Sequence, residues 1–307
     1  MYKLLFAIRQ WATHLVYVNR FAAGLYKTVS MINATRRVWG LNMAKSFCKH
    51  SDSATENEPL KSTYAHYQQT FSEVPGWFLP EAQAAWDCLL AFQTDQKIQG
   101  PLLEIGVWRG KSAALSTLHA EPNETCVYVD RLMLAEFKEL IGRIRTSGTL
   151  FLEILSECLL SQPQVTKLGA TFRWIHIDGE HSGEAVRNDL RVAESLLADD
   201  GMICVDDFPS SAYPQVNFAV VEFLSQHPQI TMVACGHNKG YICRRESAPR
   251  YLQFIKNELH RDMVQRGSEV TIWKSGRPDD ANCFGITDRV EQFDYRGPDW
   301  NPGTIEI

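Results

Sequence analysis

Between residues 100 and 246, short apolar runs alternate with amphipathic stretches, and this alternation constrains the fold more than any other feature of the chain. The apolar runs are "GPLLEIGV", "TCVYVD", "TLFLEILS", "TFRWIHID" and "GMICVDDF". Between and after them, "KSAALSTLHA", "LAEFKELIGRIR", "GEAVRNDLRVAESLLADD" and "PQVNFAVVEFLSQH" repeat apolar residues at helical spacing. Strands alternating with helices predict a mainly parallel sheet covered by helices on both faces. "ITMVACG" and "YICRRE", separated by the turn "HNKG", predict an antiparallel hairpin that finishes the sheet. The expected class is α/β with seven strands, mainly parallel, and a C-terminal antiparallel hairpin. Upstream, "VPGWFLPEAQAAWDCLLAFQTDQ" puts Pro80 at the start of a helix. Downstream, "YLQFIKNELHRDMVQ" predicts a further helix before an irregular tail.

The organisation expected is a basic, helical N-terminal extension and linker over 1–72, a main domain over 73–247, and a C-terminal helix with tail over 248–307. Residues 1–51 hold eight Lys and Arg and no acid, leaving 23 basic against 36 acidic residues in the remainder. In "YKLLFAIRQWATHLVYVNRFAAGLYKTV" charges interrupt each apolar run before the about 20 residues that span a bilayer. Arg9 and His14 spoil the apolar centre of a secretory signal. Three readings stay open for this segment. It is an interfacial amphipathic helix on anionic lipid or an acidic partner, a helical cap burying an aromatic face on the domain or a second copy of the chain, or an organellar transit peptide. The chain is expected in the cytoplasm, peripheral to a membrane under the first reading, with self-association through the aromatic-rich arm.

The net charge of -5 and the pI near 6.0 speak against nucleic acid as a partner. Eight cysteines, none in a C-x-x-C pair, read as small buried hydrophobes in a reducing compartment.

In an open parallel sheet ligands gather at the carboxyl ends of the strands, where "LLEIGVWRGKSA" stands after the first strand. Gly106 and Gly110 allow backbone conformations and close approaches that a side chain forbids. Glu104 accepts hydrogen bonds from a cationic amine and repels a phosphate, so E-x-G-x-x-x-G suits a zwitterionic amino-acid moiety better than a pyrophosphate. "VYVDR" ends the second strand in Asp130, placed for ribose hydroxyls. An adenosine-bearing, amine-bearing ligand meets both demands. Ser112 is read either as part of that pocket or as a cap of the following helix.

Residues from about Trp77 to Arg245 resemble the class I S-adenosylmethionine-dependent methyltransferases, in particular the small-molecule O-methyltransferase branch with the macrocin-type and catechol-type enzymes. "LLEIGVWRGKSA", "VYVD", "FRWIHIDGEHSGEAVRNDL" and "GMICVDDF" carry the resemblance, four stretches in order. It implies a Rossmann-like sheet in which Glu104, Gly106, Val107, Trp108, Gly110 and Ser112 surround the methionine part of the cofactor. It further implies that Asp130 holds the ribose and that Ser156, Glu157 and Cys158 lie near the adenine.

"IHIDGEHS" and "ICVDDF" both end expected strands on the ligand edge. Asp178, Asp206 and Asp207 are therefore expected close together, and three such carboxylates call for a divalent cation. Oxygen ligands favour magnesium, manganese or calcium. The resemblance maps the metal ligands onto Asp178, Asp206 and Asp207, makes Asp178 a neighbour of cofactor and reaction alike, and puts a histidine of the macrocin-type branch at His181. A neutral imidazole there takes a proton from a metal-acidified hydroxyl. His176 reads as a satisfied core histidine, and Glu180 either as an outer carboxylate or as a first-turn acid. The loop "FPSSAYP" is a candidate lid with Tyr213 touching the acceptor.

The leading reading is an O-methyltransferase acting on a hydroxyl of a sugar-bearing or phenolic small molecule, with S-adenosylmethionine and Mg2+ as cofactors. Two alternatives accompany it: a hydroxylase-type relative of the same fold, and a cofactor-binding scaffold without turnover that docks a membrane or synthase complex.

Overall fold

The computed structural model describes residues 58–273 and 283–289; the expectations for residues 1–57 and for the rest of the tail lie outside them. Strands β1 (Leu102–Ile105), β2 (Cys126–Asp130), β3 (Thr149–Glu153), β4 (Phe172–Ile177) and β5 (Leu197–Asp206) form a parallel set. Strand β7 (Lys239–Arg244) lies antiparallel to β5 and to β6 (Ile230–Gly236), which is the expected hairpin. The sheet has nine strands in the order β3-β2-β1-β4-β5-β7-β6-β9-β8. The two beyond expectation, β8 (Val270–Trp273) and β9 (Phe284–Asp288), come from the stretch read as irregular tail. β9 adds parallel to β6, and β8 adds antiparallel to β9.

Helices α1 (Glu58–Thr70), α2 (Pro80–Asp95), α3 (Lys111–Leu118), α4 (Ala135–Ile144), α5 (Pro163–Thr166), α6 (Gly183–Leu196) and α7 (Pro214–Gln226) follow in chain order. A last helical run, Ala248–Gln265, passes through a π turn at Ile255–Leu259. Successive strand side chains point to opposite faces, and both faces are covered, so the strands read as continuous apolar runs. On β5, Met202 and Cys204 enter the core that includes α2 and the C-terminal helix, while Ile203 and Val205 enter the core that includes α6 and α7.

Two expectations are corrected. The segment read as a polar linker holds α1, whose Tyr64, Tyr67 and neighbouring Phe71 are buried in the first core. Their spacing of three and four is a helical stripe hidden under polar neighbours. The helix expected to run through Asp200 stops at Leu196, because Leu197 pairs with Phe172 and the chain joins the sheet. Pro80 does open α2, and Ser182 caps α6 by accepting from the Ala185 amide at 3.3 Å. Ser182→Ala should cost about 1 kcal/mol, read as a small drop in urea midpoint at unchanged slope; no drop would remove that cap.

Polar anchors hold the sheet end opposite the acids. Arg173, fully buried on β4, donates to Glu124 from Nε at 2.7 Å and from Nη2 at 2.9 Å. Buried Asp87 of α2 meets His119 Nε2 at 2.6 Å and accepts from Arg266 Nε at 2.6 Å, tying α2 to the C-terminal helix. Cys88, Cys126, Cys204 and Cys243 are buried, whereas Cys158 is exposed. Among the described residues no helix is long and apolar enough to cross a membrane.

Candidate active site

The carboxyl ends of β1, β2, β4 and β5 converge on one cleft of about 720 Å³. Gly106, Val107, Trp108, Gly110, Ser112, Asp130, Asp178, His181, Asp206 and Asp207, all singled out from sequence, line it. Glu104 lies beneath, 2% exposed, and Ser156, Glu157 and Cys158 are outside the lining. The turn that carries them, Ser156–Ser161, packs against α6.

The glycine turn is shaped first by the protein itself. Gly106 has φ +82°, and a Cβ there would lie 1.9 Å from the Asp178 carbonyl oxygen. Gly110 has φ +84°, and its Cβ would meet the Phe137 ring at 2.4 Å. The room these residues leave is thus filled by the β4 loop and by α4. Asp130 Oδ2 accepts from the Val107 and Trp108 amides at 3.0 and 3.1 Å, and Oδ1 from Leu132 at 3.0 Å. The carboxylate expected to meet a ribose clamps the turn as well. Trp108, with φ +41°, stacks on exposed Trp77 at 5.1 Å between centroids.

Strand register places Glu104 beside His176. Glu104 Oε1 accepts from Ser112 Oγ at 2.6 Å and lies 3.3 Å from His176 Nδ1, while Oε2 is buried with no hydrogen-bond partner. Ser112 therefore serves the pocket floor rather than a helix cap. His176 Nε2 is 3.7 Å from Asp206 Oδ2, and Trp86 packs edge-on against the ring at 4.6 Å. Burial opposes a charge on His176, but Glu104 and Asp206 outweigh it and push the imidazole up to about 9. His176 is buried in the core between two acids, but neither ring nitrogen has a hydrogen-bond partner, so it is not the satisfied histidine expected.

The three aspartates do not share one environment. Asp206 is ion-paired with Lys239, and its Oδ1 accepts from the Asp207 amide at 2.7 Å. Burial opposes its charge, but Lys239 and His176 hold the carboxyl well below the usual range. Asp207, at φ +54°, turns the other way, with Oδ2 2.8 Å from His181 Nε2. Asp178 Oδ1 is 3.6 Å from the same nitrogen. Desolvation, and then Asp206, push Asp178 up to about 6. Asp178 and Asp207 raise His181 to about 10, so with both carboxylates free the ring is an imidazolium at neutral pH and not the neutral base expected. Tyr213 stacks on His181 at 4.3 Å, and Asn217 Nδ2 donates to the Ser210 carbonyl at 2.7 Å, pinning the loop that carries it.

The metal-binding trio expected from sequence is thereby divided. Ligand atoms within 4.8 Å of one another form two groups, Asp178 with His181 and Asp207, and Asp178 with His176 and Asp206. Lys239 escaped the sequence reading. Its signal was the hairpin turn, and it needed the β5–β7 register, which sets Lys239 opposite Asp206, to become visible.

Residues 103–208 match a family model described as a methyltransferase domain. No curated protein matches the chain. Among solved structures, the O-methyltransferase NovP is 17% identical at a TM-score of 0.42, over 53% of this chain and 80% of that one. CalS11, a TDP-rhamnose 3'-O-methyltransferase of calicheamicin biosynthesis, is 13% identical at 0.43, over 62% and 96%. The methyltransferase PaMTH1 of Podospora anserina, with S-adenosylhomocysteine bound, is 16% identical at 0.43, over 69% and 96%. These likenesses are distant. The family match runs from β1 to the residue after Asp207.

Proposed function

We propose that the chain is an S-adenosylmethionine-dependent O-methyltransferase of a small-molecule hydroxyl, sugar-bearing or phenolic, assisted by a divalent cation such as Mg2+. One observation carries the reading: a single cleft joins the glycine turn after β1 to Asp178, His181 and Asp207. Its size, about 720 Å³, suits a nucleoside cofactor with the reacting part of an acceptor. The match of residues 103–208 to a methyltransferase domain supports the class.

The residues fit the cofactor. Glu104 Oε2 is a buried acceptor without a donor, a group that an ammonium satisfies. Asp130 keeps lone pairs for a ribose hydroxyl after taking three backbone amides. They also fit a hard cation, since Asp178 and Asp207 present oxygen donors beside His181. When bound, S-adenosylmethionine supplies a methyl group on a sulfonium, and the cation acidifies the acceptor hydroxyl. With the carboxylates so engaged, His181 is placed to take the acceptor's proton, its ring plane held by Tyr213. Trp108, Tyr213 and Ser210 orient the acceptor by walling the cleft. The basic, acid-free composition of residues 1–51 supports contact with an anionic membrane surface or an acidic partner through that segment.

Incubation with S-adenosylmethionine, Mg2+ and a panel of phenolic and glycosylated acceptors should yield S-adenosylhomocysteine by mass spectrometry. Absence of cofactor binding in calorimetry would sink the reading. With a competent acceptor, Asp207→Asn and His181→Ala should each lower kcat by about 100-fold and leave S-adenosylhomocysteine affinity within about threefold. An unchanged kcat removes the role of the residue replaced.

A further inference from the structure

The acid cluster carries a cation of its own. Lys239 opens β7 opposite Asp206, and its ammonium is ion-paired with Asp206 Oδ2. The side chain is almost fully buried, with Nζ 5.3 Å from the Phe78 ring centroid and 5.9 Å from that of Trp86. A buried ammonium requires a fixed carboxylate, and two aromatic faces complete its surroundings. Asp206 is occupied at both oxygens, by Lys239 and by the Asp207 amide. Asp207 faces His181 and lies 3.5 Å from Asn238 Nδ2, on the open side of the cleft. His176, the remaining donor beside Asp206, does not line the cleft.

We propose that Lys239 is the resident counter-cation of this site: it keeps Asp206 out of the coordination shell of a divalent cation, leaving Asp178 and Asp207 as the carboxylates that hold one. The proposal rests on the cation-assisted reading above and narrows it from three carboxylates to two. Affinity for a hard cation rises with the number of charged ligands, so Lys239 also sets that affinity low.

Mn2+ serves as the probe, with free Mn2+ followed by electron paramagnetic resonance in the full chain and S-adenosylhomocysteine calorimetry as the check on folding. Relative to the unmodified protein, Asp207→Asn should weaken Mn2+ binding by at least about 10-fold, while Asp206→Asn with Lys239→Met, which removes the ion pair without leaving a bare ammonium, stays within about threefold. Lys239→Met alone, which frees a third carboxylate, should tighten it by at least about fivefold. Equal weakening by Asp207→Asn and by the paired replacement overturns the proposal, as does a folded Lys239→Met protein with unchanged affinity. If the parent binds no Mn2+ but Lys239→Met does, the counter-cation role stands and the cation-assisted reading falls. If neither binds, both fall.

Discussion

Gly106→Ala should destabilise the protein by more than about 4 kcal/mol, an effect reserved for a few structural mechanisms. A methyl group at this position would sit 1.9 Å from the Asp178 carbonyl oxygen and 2.9 Å from the Gly179 nitrogen, both backbone atoms. Neither side has room to retreat. The Asp178 amide donates to the Ile105 carbonyl at 2.8 Å, and the Gly106 amide to the Val129 carbonyl at 2.8 Å. The φ of +82° adds a conformational penalty of about 1–3 kcal/mol for a residue with a side chain. To accept alanine, the ends of β1 and β4 must part, which moves the glycine turn and Asp178 together. Chemical denaturation and S-adenosylhomocysteine binding should therefore fail in the same variant. Gly142→Ala is the matching control: Gly142 lies in the last turn of α4, its added carbon meets nothing within 4 Å, and the change should stabilise by about 0.5 kcal/mol. A Gly106→Ala protein within about 1 kcal/mol of the parent would contradict the close approach.

Glu124→Ala should cost about 3–5 kcal/mol without touching the cleft. Glu124 accepts from Arg173 at two nitrogens, from the Gly100 amide at 2.8 Å and from the Glu121 amide at 2.8 Å. Its loss leaves the Arg173 guanidinium, 1% exposed, with only the Gln93 side chain and the His119 carbonyl. An uncompensated buried charge is the source of the penalty, so replacing both partners with apolar residues should recover part of it. Below its lowered melting temperature the single variant should still bind S-adenosylhomocysteine normally. A melting point unchanged from the parent would show that the pair is not sealed from water.

β1, β2, β4 and β5 were legible because parallel strands buried on both faces are apolar nearly throughout, β6 and β7 because a short Asn- and Gly-containing turn joins two apolar runs, and the helices because their stripes are long. What escaped were elements whose local pattern is short or diluted. β8 and β9 offer only four and five residues, and their identity as strands depends on β9 pairing with β6, far back in the chain, and on β8 pairing with β9. The end of α6 was misread because "LLADD" continues a helical pattern that sheet pairing overrides at Leu197. In the site, the acids at the ends of β4 and β5 could be placed from strand-end positions alone. Which partner each acid takes could not: that Asp207 turns to His181 and Asp206 to Lys239 follows from a positive φ and an antiparallel register, neither written in residue type. The placement of Ser156 to Cys158 came from family resemblance alone; here that turn packs against α6 and does not line the cleft.

The reversal of β7 has a mechanical consequence. The other groups at the cleft edge stand where strands run out into connecting segments, and Asp207, Ser210 and Tyr213 share one such stretch. Lys239 enters from the opposite direction, as the first residue of a strand, and is gripped by ladder bonds to β5 on one side and β6 on the other. Its charge is stationary. Any movement of the 207–213 segment is measured against that fixed point, so opening the cleft would separate Asp207 and Tyr213 from a positive centre that stays behind with Asp206.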